Sequence, residues 1–442
     1  SIKMTHASFL RIFQMYKYLT IVLFVYLIFN INAKSETLEL ALSKAYTNNP
    51  LINSKRAELR SLDENVSAAT SQFFPKIEVI GSYSENNLEY GEFDNTKTNP
   101  IAGSFLINQK IFSGGKLIND RLSAMNLVAA GRQSLRDIEQ SILFQAAQAY
   151  FNYLKTEQIV KLQQNNLEVL RKRLEATKIQ FEVGELTLTD VAQADARLSL
   201  AQSNLADARS LLKAREADYR SIIGYDPENL DEWTGEFNLP ESENEAISIA
   251  LKNNPQLKYY ESIEKSSAYN ISSKRSMLLP KISLRGEYIY AEEQSFLMSE
   301  DINQYQITGQ IKIPIFYGGL NWSNIRKAQE INSRDKYLII DGKRKIRSFV
   351  KKSFAEYNAS KIRILATDKQ KKATEIALEG VKQEFQLGTR TTLDILDAEQ
   401  EFLDARVSSV KAINESNISL FQLLYYLGTV SYTHLRAHET HE

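Results

Sequence analysis

The sequence predicts a mixed α and β membrane protein that is built from two copies of one half-molecule. Three observations predict this class: an internal duplication, four strands with alternating polarity, and two helical stretches of unusual length. The duplication consists of five motifs that recur in the same order about 204 residues later, a period far longer than that of a solenoid repeat. The five pairs are Asn48-Asn-Pro50 with Asn253-Asn-Pro255, Phe74-Pro-Lys-Ile77 with Leu279-Pro-Lys-Ile282, Phe112-Ser-Gly-Gly115 with Phe316-Tyr-Gly-Gly319, Phe181-Glu-Val-Gly184 with Phe385-Gln-Leu-Gly388, and Ile223-Gly224 with Leu427-Gly428.

The duplication predicts how the chain is divided. We expect a signal peptide, a first structural repeat, a linker, a second repeat and a non-native or disordered tail, in residues 1–33, 34–224, 225–244, 245–430 and 431–442. In the first segment, basic residues precede an apolar run of about 11 residues, which is too short to span a bilayer as a helix and is typical of export signals. The last segment has no counterpart in the other repeat and holds three of the four histidines.

The composition excludes several classes of function. The chain has 54 basic and 54 acidic residues, and a neutral balance argues against a nucleic-acid partner, which requires a basic face. It has no cysteine, and its four histidines all lie outside the repeats. Most nucleophile–base pairs and transition-metal sites need one of these residues, and no glycine-rich phosphate loop is present. We therefore predict no enzyme activity, no metal and no cofactor.

Each repeat begins with a helix, in residues 38–73 and 245–278, that an Asn-Asn-Pro motif interrupts. A proline then starts a strand, and a polar loop leads to a return strand, predicted in residues 101–112 and 305–316. Apolar and polar residues alternate in these strands, whose length of about 9–12 residues suits a tilted membrane strand. A soluble sheet with one solvated face gives the same pattern and is the alternative. Polar residues of the second repeat that we expect to face a water-filled lumen are Lys281, Arg285, Glu287, Gln310 and Lys312.

A very long helix is predicted after each Gly-Gly pair, in residues 116–183 and 320–387, because neither stretch contains proline. At 1.5 Å per residue each helix would be about 100 Å long, which no ordinary globular core requires. Shorter helices return over residues 188–223 and 392–427, and the first of these is rich in alanine. Small residues let helices approach closely, so each repeat is predicted to form a coiled-coil hairpin.

Four strands per chain cannot close a barrel, since outer-membrane barrels have at least eight and no open edge can lie in lipid. Three copies supply 12 strands, which is within the known range. The sequence therefore predicts a homotrimer with a 12-stranded transmembrane β-barrel that is continued by a ring of long helices.

With this organisation, the chain resembles the TolC family of outer-membrane channel proteins over residues 38–428. The most specific stretches are Phe385-Gln-Leu-Gly-Thr-Arg-Thr-Thr-Leu-Asp-Ile-Leu-Asp-Ala398 and Phe181-Glu-Val-Gly-Glu-Leu-Thr-Leu-Thr-Asp-Val-Ala-Gln-Ala194, which look like the family's hairpin turns at the periplasmic tip. The resemblance implies a trimeric duct whose β-barrel crosses the outer membrane and whose α-helical coiled-coil barrel crosses the periplasm. Its expected partners are outer-membrane lipid, a periplasmic membrane-fusion adaptor and an ABC or proton-driven inner-membrane pump.

The resemblance also assigns roles to residues of the two turns. Asp190 and Arg390 match a charged link that holds neighbouring hairpins closed, and the turn glycines are Gly184 and Gly388. Asp394 and Asp397 match an acidic ring at the narrow entrance. Phe385 stands where the family often has a tyrosine, so any gate contact through that hydroxyl is lost. An aspartate that follows threonine near a helix start is also a common capping residue, which is the alternative for these carboxylates.

The function implied is that of the outer-membrane channel in a tripartite efflux or type I secretion system. A soluble periplasmic coiled-coil adaptor or scaffold is the alternative, because it would explain the long hairpins. It would not explain two pairs of alternating strands that end in Gly-Gly.

Overall fold

A computed structural model of the chain describes residues 35–89, 96–235, 237–292 and 301–430. The predicted signal peptide, residues 1–33, and the predicted tail, residues 431–442, lie outside the described residues. In chain order the elements are α1 Leu38–Asn48, α2 Pro50–Ser71, β1 Lys76–Tyr83, β2 Asn86–Leu88, β3 Thr96–Thr98, β4 Ile101–Phe112, α3 Lys116–Glu182, α4 Leu188–Ile223, α5 Glu243–Asn253, α6 Pro255–Arg275, β5 Lys281–Glu292, β6 Ile302–Lys312, α7 Leu320–Gln386 and α8 Thr392–Leu427; a short 3₁₀ turn, Ser276–Leu278, follows α6.

The helical part of each repeat follows the prediction closely. The Asn-Asn-Pro motif divides the first helix in two because proline lacks an N–H and disfavours a helical residue before it. Asn49 caps α2 by accepting a hydrogen bond from the N–H of Leu51 at 2.9 Å, and Asn254 caps α6 in the same way through Gln256 at 3.0 Å. The long helices α3 and α7 each have 67 residues, and the return helices α4 and α8 each have 36. Among the described residues, no helix combines the length and apolarity needed to cross a lipid bilayer.

The four predicted strands form one antiparallel sheet in the order β1-β4-β5-β6, so β1 and β6 are its edges. Two differences from the prediction concern the loops and one edge. The first polar loop contains a small hairpin of its own, β2 with β3. Strand β6 covers Ile302–Lys312 and not the predicted residues 305–316. It ends at Lys312 because that residue lies opposite Lys281, the first residue of β5. Beyond this pair β5 offers no backbone partner to β6.

The described residues form two compact units, and each unit draws segments from both sequence repeats. Unit 1 comprises residues 35–45, 146–235, 237 and 374–410. In it Tyr150 is fully buried, and its hydroxyl lies 2.9 Å from the carbonyl oxygen of Glu36 and 2.7 Å from that of Asp231. Burial raises the pKa of Tyr150, so the hydroxyl stays a donor at any physiological pH and fastens the linker to α3. The repeat boundaries at 34–224 and 245–430 stay a prediction.

Unit 2 comprises the described residues of 46–145, 238–373 and 411–430, including the whole sheet. Its apolar cluster brings together α5, α6, α7 and α8. The fully or nearly buried members are Ala246, Ala250, Leu257, Ile346, Val350, Leu423 and Leu427. The two alanines let the short helix α5 lie close to its neighbours, and each large side chain buried here contributes about 1.5–3 kcal/mol of transfer free energy. This packing, and not helix propensity, holds the short helices in place.

Candidate functional site

The two hairpin turns are built alike. Each long helix ends at a glycine with positive φ, Gly184 at 81° and Gly388 at 76°. The N–H of Gly184 donates to the carbonyl of Phe181 at 3.0 Å, and that of Gly388 donates to Phe385 at 3.0 Å. Because only glycine adopts this backbone conformation without strain, these positions end the helices and reverse the chain.

Asp190, predicted for the gate, and Asp394, predicted for the entrance, each cap a return helix. The Oδ2 of Asp190 accepts from the N–H of Thr187 at 2.9 Å and from its hydroxyl at 2.6 Å. In the second turn, the Oδ2 of Asp394 accepts from the N–H and from the hydroxyl of Thr391, each at 2.8 Å. Both are capping boxes, the alternative role that the sequence allowed for these residues.

These hydrogen bonds also fix the charge of the two carboxylates. The hydroxyl and then the N–H of Thr187 hold the pKa of Asp190 below its usual value. For Asp394 the N–H of Thr391 has the larger effect, followed by its hydroxyl, and the pKa is again lowered. Both side chains are therefore anions at neutral pH, with the charge at the N-terminus of a helix, where the helix dipole favours it.

Arg390 is bound within its own turn. Its Nε donates to the Oε2 of Glu384 at 2.7 Å, and both side chains are about half exposed. The predicted link to Asp190 of a neighbouring hairpin stays a prediction. The structure adds that this link would compete with Glu384, which the sequence did not single out.

Asp397 is paired inside the chain with an arginine that sequence reasoning missed. Its Oδ1 accepts a hydrogen bond from Arg197 of α4, so the second hairpin is joined to the first. Within one chain this pair offsets the negative charge that the predicted acidic ring assigns to Asp397. The two residues are 200 positions apart, and no local pattern of the sequence links them.

A second ion pair between the hairpins is buried. Arg173 of α3 donates to Glu399 of α8 at 2.7 Å, and the Glu399 side chain is only 6% exposed. The ring of Phe385 lies over the Arg173 guanidinium, with 5.9 Å between the ring centroid and Cζ. Phe385 therefore contacts a cation through its face, a favourable cation–π geometry. The sequence singles out Phe385 for its missing hydroxyl, and no local pattern predicts this contact with Arg173.

The strand residues predicted to face a lumen share one face of the sheet. Residues directly opposite in antiparallel strands lie on the same side, and the register places Arg285 opposite Thr308 and Glu287 opposite Gln306. The other predicted residues follow the same parity, since Lys281 lies opposite Lys312 and Gln310 opposite Ser283. Arg285 and Glu287 also form an ion pair along β5, with 3.1 Å between Nη2 and Oε2.

The opposite face of the sheet is apolar across the middle of all four strands. The register places side chains of like character in rows across the sheet. The two central rows are Ile77–Ile107–Gly286–Ile307 and Val79–Phe105–Tyr288–Tyr305. Every large side chain in these rows is exposed in the single chain. A contiguous apolar surface of this kind marks contact with a membrane or another protein.

Among the residues that the structure describes, no three His, Cys, Asp or Glu side chains are arranged to hold a metal ion. What the described residues do provide is two charged helical turns, ion pairs between the hairpins and a sheet with one polar and one apolar face.

A family model described as outer membrane efflux protein matches residues 41–225 and 246–429 of this chain. The outer membrane efflux protein BepC of Brucella suis biovar 1 is 32% identical over 401 residues, which cover 90% of this chain and 87% of BepC. The outer membrane protein TolC of Escherichia coli is 24% identical over 417 residues, 90% of this chain and 83% of TolC. Among solved structures, the CmeC outer membrane channel of Campylobacter jejuni superimposes with a TM-score of 0.80 at 15% identity, covering 93% of this chain and 90% of CmeC.

Proposed function

Since this chain belongs to the outer membrane efflux protein family, we propose that three copies of it assemble into one closed conduit. The protein is the outer-membrane channel of a tripartite efflux or type I secretion system, with a helical domain in the periplasm. It passively conducts substrates that reach it from a periplasmic adaptor and an inner-membrane pump to the cell exterior. The conduit itself binds no cofactor and catalyses no reaction, so energy comes from the pump, either an ABC transporter or a proton-driven one.

The observation that supports a trimer is that the four-stranded sheet is open at both edges. Strands β1 and β6 are edges, and four strands cannot surround a lumen. An edge in lipid leaves a row of unpaired N–H and C=O groups, each of which costs several kcal/mol. Three sheets joined edge to edge give 12 antiparallel strands, with the apolar rows toward outer-membrane lipid and Lys281, Arg285, Glu287, Gln310 and Lys312 toward water.

The assembly is tested on the purified protein in detergent and in planar bilayers. Native mass measurement should give three copies per particle, and the particles should form ion-conducting channels. A soluble coiled-coil adaptor or scaffold would give neither a membrane-inserted particle nor a channel. A stable, membrane-inserted monomer would rule out the barrel proposed here.

At the entrance we place a ring of carboxylates. Three copies of Asp394 and Asp397 near one axis favour cations, as acidic rings do in cation channels. We expect Asp394→Asn to lower the cation-over-anion selectivity, because the amide keeps the capping acceptor but loses the charge. Asp397→Asn should also lower it, because the change turns a neutral pair into an unpaired Arg197 cation and shifts the local charge by the same amount. Reversal potentials in a salt gradient measure both changes in selectivity. Unchanged selectivity in the Asp394 and Asp397 variants would contradict the ring.

For the gate we place Arg390 in a link to Asp190 of the neighbouring hairpin. An exposed ion pair is worth about 0.2–1 kcal/mol, so three copies give a modest closing bias that an adaptor can overcome. We expect Arg390→Ser to raise the mean single-channel conductance. Glu384→Gln is the control, because it removes the in-chain partner of Arg390 and leaves the arginine available to its neighbour. If Glu384→Gln raises the conductance as much as Arg390→Ser, the in-chain pair and not the link restrains the turn.

A further inference from the structure

The two strand hairpins have the same register when they are compared through the sequence repeat. In the first hairpin Lys76 lies opposite Asn108, and in the second Lys281 lies opposite Lys312. Lys281 is the repeat counterpart of Lys76, and Lys312 is that of Asn108. The duplication therefore preserves not only the motifs but also the residue-by-residue pairing of the strands.

The repeats are joined inside the chain by β4 of the first and β5 of the second. In this junction Ile107 lies opposite Gly286 and Phe112 lies opposite Ile282. The pairing shifts by one residue between Lys110 and Phe112, which leaves Ile111 as a bulge. One such junction exists per chain, and the structure gives its complete register.

The repeat counterparts of these residues lie at the free edges of the sheet. The counterpart of Ile107 in β4 is Ile311 in β6, and that of Phe112 is Phe316. Ile107 is 37% exposed and Ile311 is 66% exposed; Phe112 is 45% exposed and Phe316 is 83% exposed. Each pair has the same residue type at equivalent positions. The larger exposed fraction in the second repeat therefore indicates that a neighbouring strand is missing there.

A second contact points to the same missing neighbour. A Cβ at Gly114 would lie 2.7 Å from the Cβ of Leu279 and 2.8 Å from the carbonyl oxygen of Ser276, so the backbone approaches the second repeat closely there. At the counterpart, Gly318, a Cβ would have no atom within 4 Å. The residues that correspond to Leu279 and Ser276 are Phe74 and Ser71, at and just after the end of α2 in the first repeat, and both are exposed.

From these matched pairs we propose that β6 of one copy joins β1 of the next copy through the same junction that β4 and β5 form within the chain. Transferring the register places Gly309 opposite Tyr83, Ile311 opposite Gly81, Ile313 opposite Val79, and Phe316 opposite Ile77 of the neighbour. Gly318 then packs against Phe74 and Ser71 of that neighbour. This inference rests on the proposed trimer and specifies its interface.

The neighbour also completes β6. Residues 313–316 have no backbone partner in β5. In the transferred register they pair with β1 of the neighbour and extend strand β6. Ile315 then lies in the bulge, as Ile111 does in β4. Pro314 takes the place of Lys110, directly before the bulge, and proline is tolerated in sheets only at edges, strand starts and bulges. The predicted strand end at Phe316 is therefore reached only in the assembly.

Disulfide cross-linking tests the register directly, since the chain has no cysteine of its own. We expect Ile311→Cys with Gly81→Cys to link neighbouring copies into a ladder that ends at three chains. Directly opposite residues have Cα atoms about 4.5–5.5 Å apart, within the range of a disulfide. Within one chain these positions lie on opposite edges, at least three strand spacings or about 14 Å apart, so no internal disulfide can form. Neither glycine nor isoleucine is crowded at these positions: a Cβ at Gly81 has open space and Ile311 is exposed.

Two cysteine pairs serve as controls. Ile107→Cys with Gly286→Cys occupies the equivalent in-chain junction and should form an internal disulfide. Ile311→Cys with Ile77→Cys is displaced by four residues, about 13 Å, and should not link. If the particle contains three copies but the displaced pair links and the proposed pair does not, the register is wrong while the proposed function stands. If no particle with three copies exists, both the proposed trimer and the proposed register are wrong.

Hydrogen exchange on the unaltered protein provides a second readout that needs no variant to fold. The amides of residues 313, 315 and 316 should exchange as slowly in the assembled particle as those of 109, 111 and 112. Fast exchange at 313–316 in a particle of three copies would overturn the completed strand.

Discussion

We expect a chain with Ile307→Arg to be lost from the outer membrane, while a chain with Gln306→Arg accumulates there at the normal level. Both side chains are exposed in the single chain, so neither substitution disturbs packing within it. Ile307 lies in a central row of the apolar face, and an arginine facing lipid near the bilayer midplane costs about 2–4 kcal/mol per copy. Three copies in one barrel multiply that cost.

Gln306 is the matched control because it adjoins Ile307 in β6 and points to the other face. It lies directly opposite Glu287, so an arginine there gains an opposite charge as its cross-strand partner. The amount of each variant in the outer-membrane fraction, compared with that of the unaltered chain, measures the effect. Equal loss of both variants would show that the two faces of the sheet have been assigned wrongly.

The second large effect is expected at the buried ion pair between the hairpins. We expect Arg173→Met to destabilise unit 1 by about 3–5 kcal/mol, because it leaves the carboxylate of Glu399 buried without its partner. Glu399→Gln should cost less, because the amide oxygen can still accept from Arg173 and the Arg173 side chain, 22% exposed, keeps some contact with water. The midpoint of urea unfolding, followed by hydrogen exchange in residues 396–403 of α8, measures the change.

Arg171→Met is the control for Arg173→Met. Arg171 lies two residues away on the same helix and pairs with Glu168 at 2.8 Å, but both of these side chains are more than half exposed. Such a pair contributes about 0.2–1 kcal/mol, so the variant should unfold almost as the unaltered protein does. The double variant Arg173→Met with Glu399→Leu should recover most of the loss, as apolar replacements of buried pairs do. If the double variant is as unstable as Arg173→Met, the loss comes from packing and not from the unpaired charge.

The two ion pairs matter for opening of the entrance. Arg173 with Glu399 and Arg197 with Asp397 both join the first hairpin of a chain to the second. The link proposed for Arg390 joins hairpins of different copies. We therefore expect an adaptor to open the entrance by breaking the exposed links proposed between copies, at a lower cost in free energy than breaking the buried pair within each copy.

Features that depend on residues close together in the chain could be predicted without the structure. The ends of the long helices and their return helices were predicted within one residue, because glycine, proline and capping threonine act locally through φ, a missing N–H and a single hydrogen bond. The faces of the strands followed from period-two alternation, and four strands per chain from the duplication. The resemblance carried by the turn motifs indicated the family, which the comparisons confirmed.

Contacts between side chains far apart in the sequence became known only from the packing of the helices. Arg173 with Glu399 and Arg197 with Asp397 are separated by at least 200 residues, and a surface charge on a long helix has the same local pattern whether it faces solvent or a partner. The same holds for Phe385, whose contact with Arg173 depends on how two hairpins pack. The end of β6 at Lys312 was decided by the length of β5, since a strand extends only as far as a neighbouring backbone can accept and donate its hydrogen bonds.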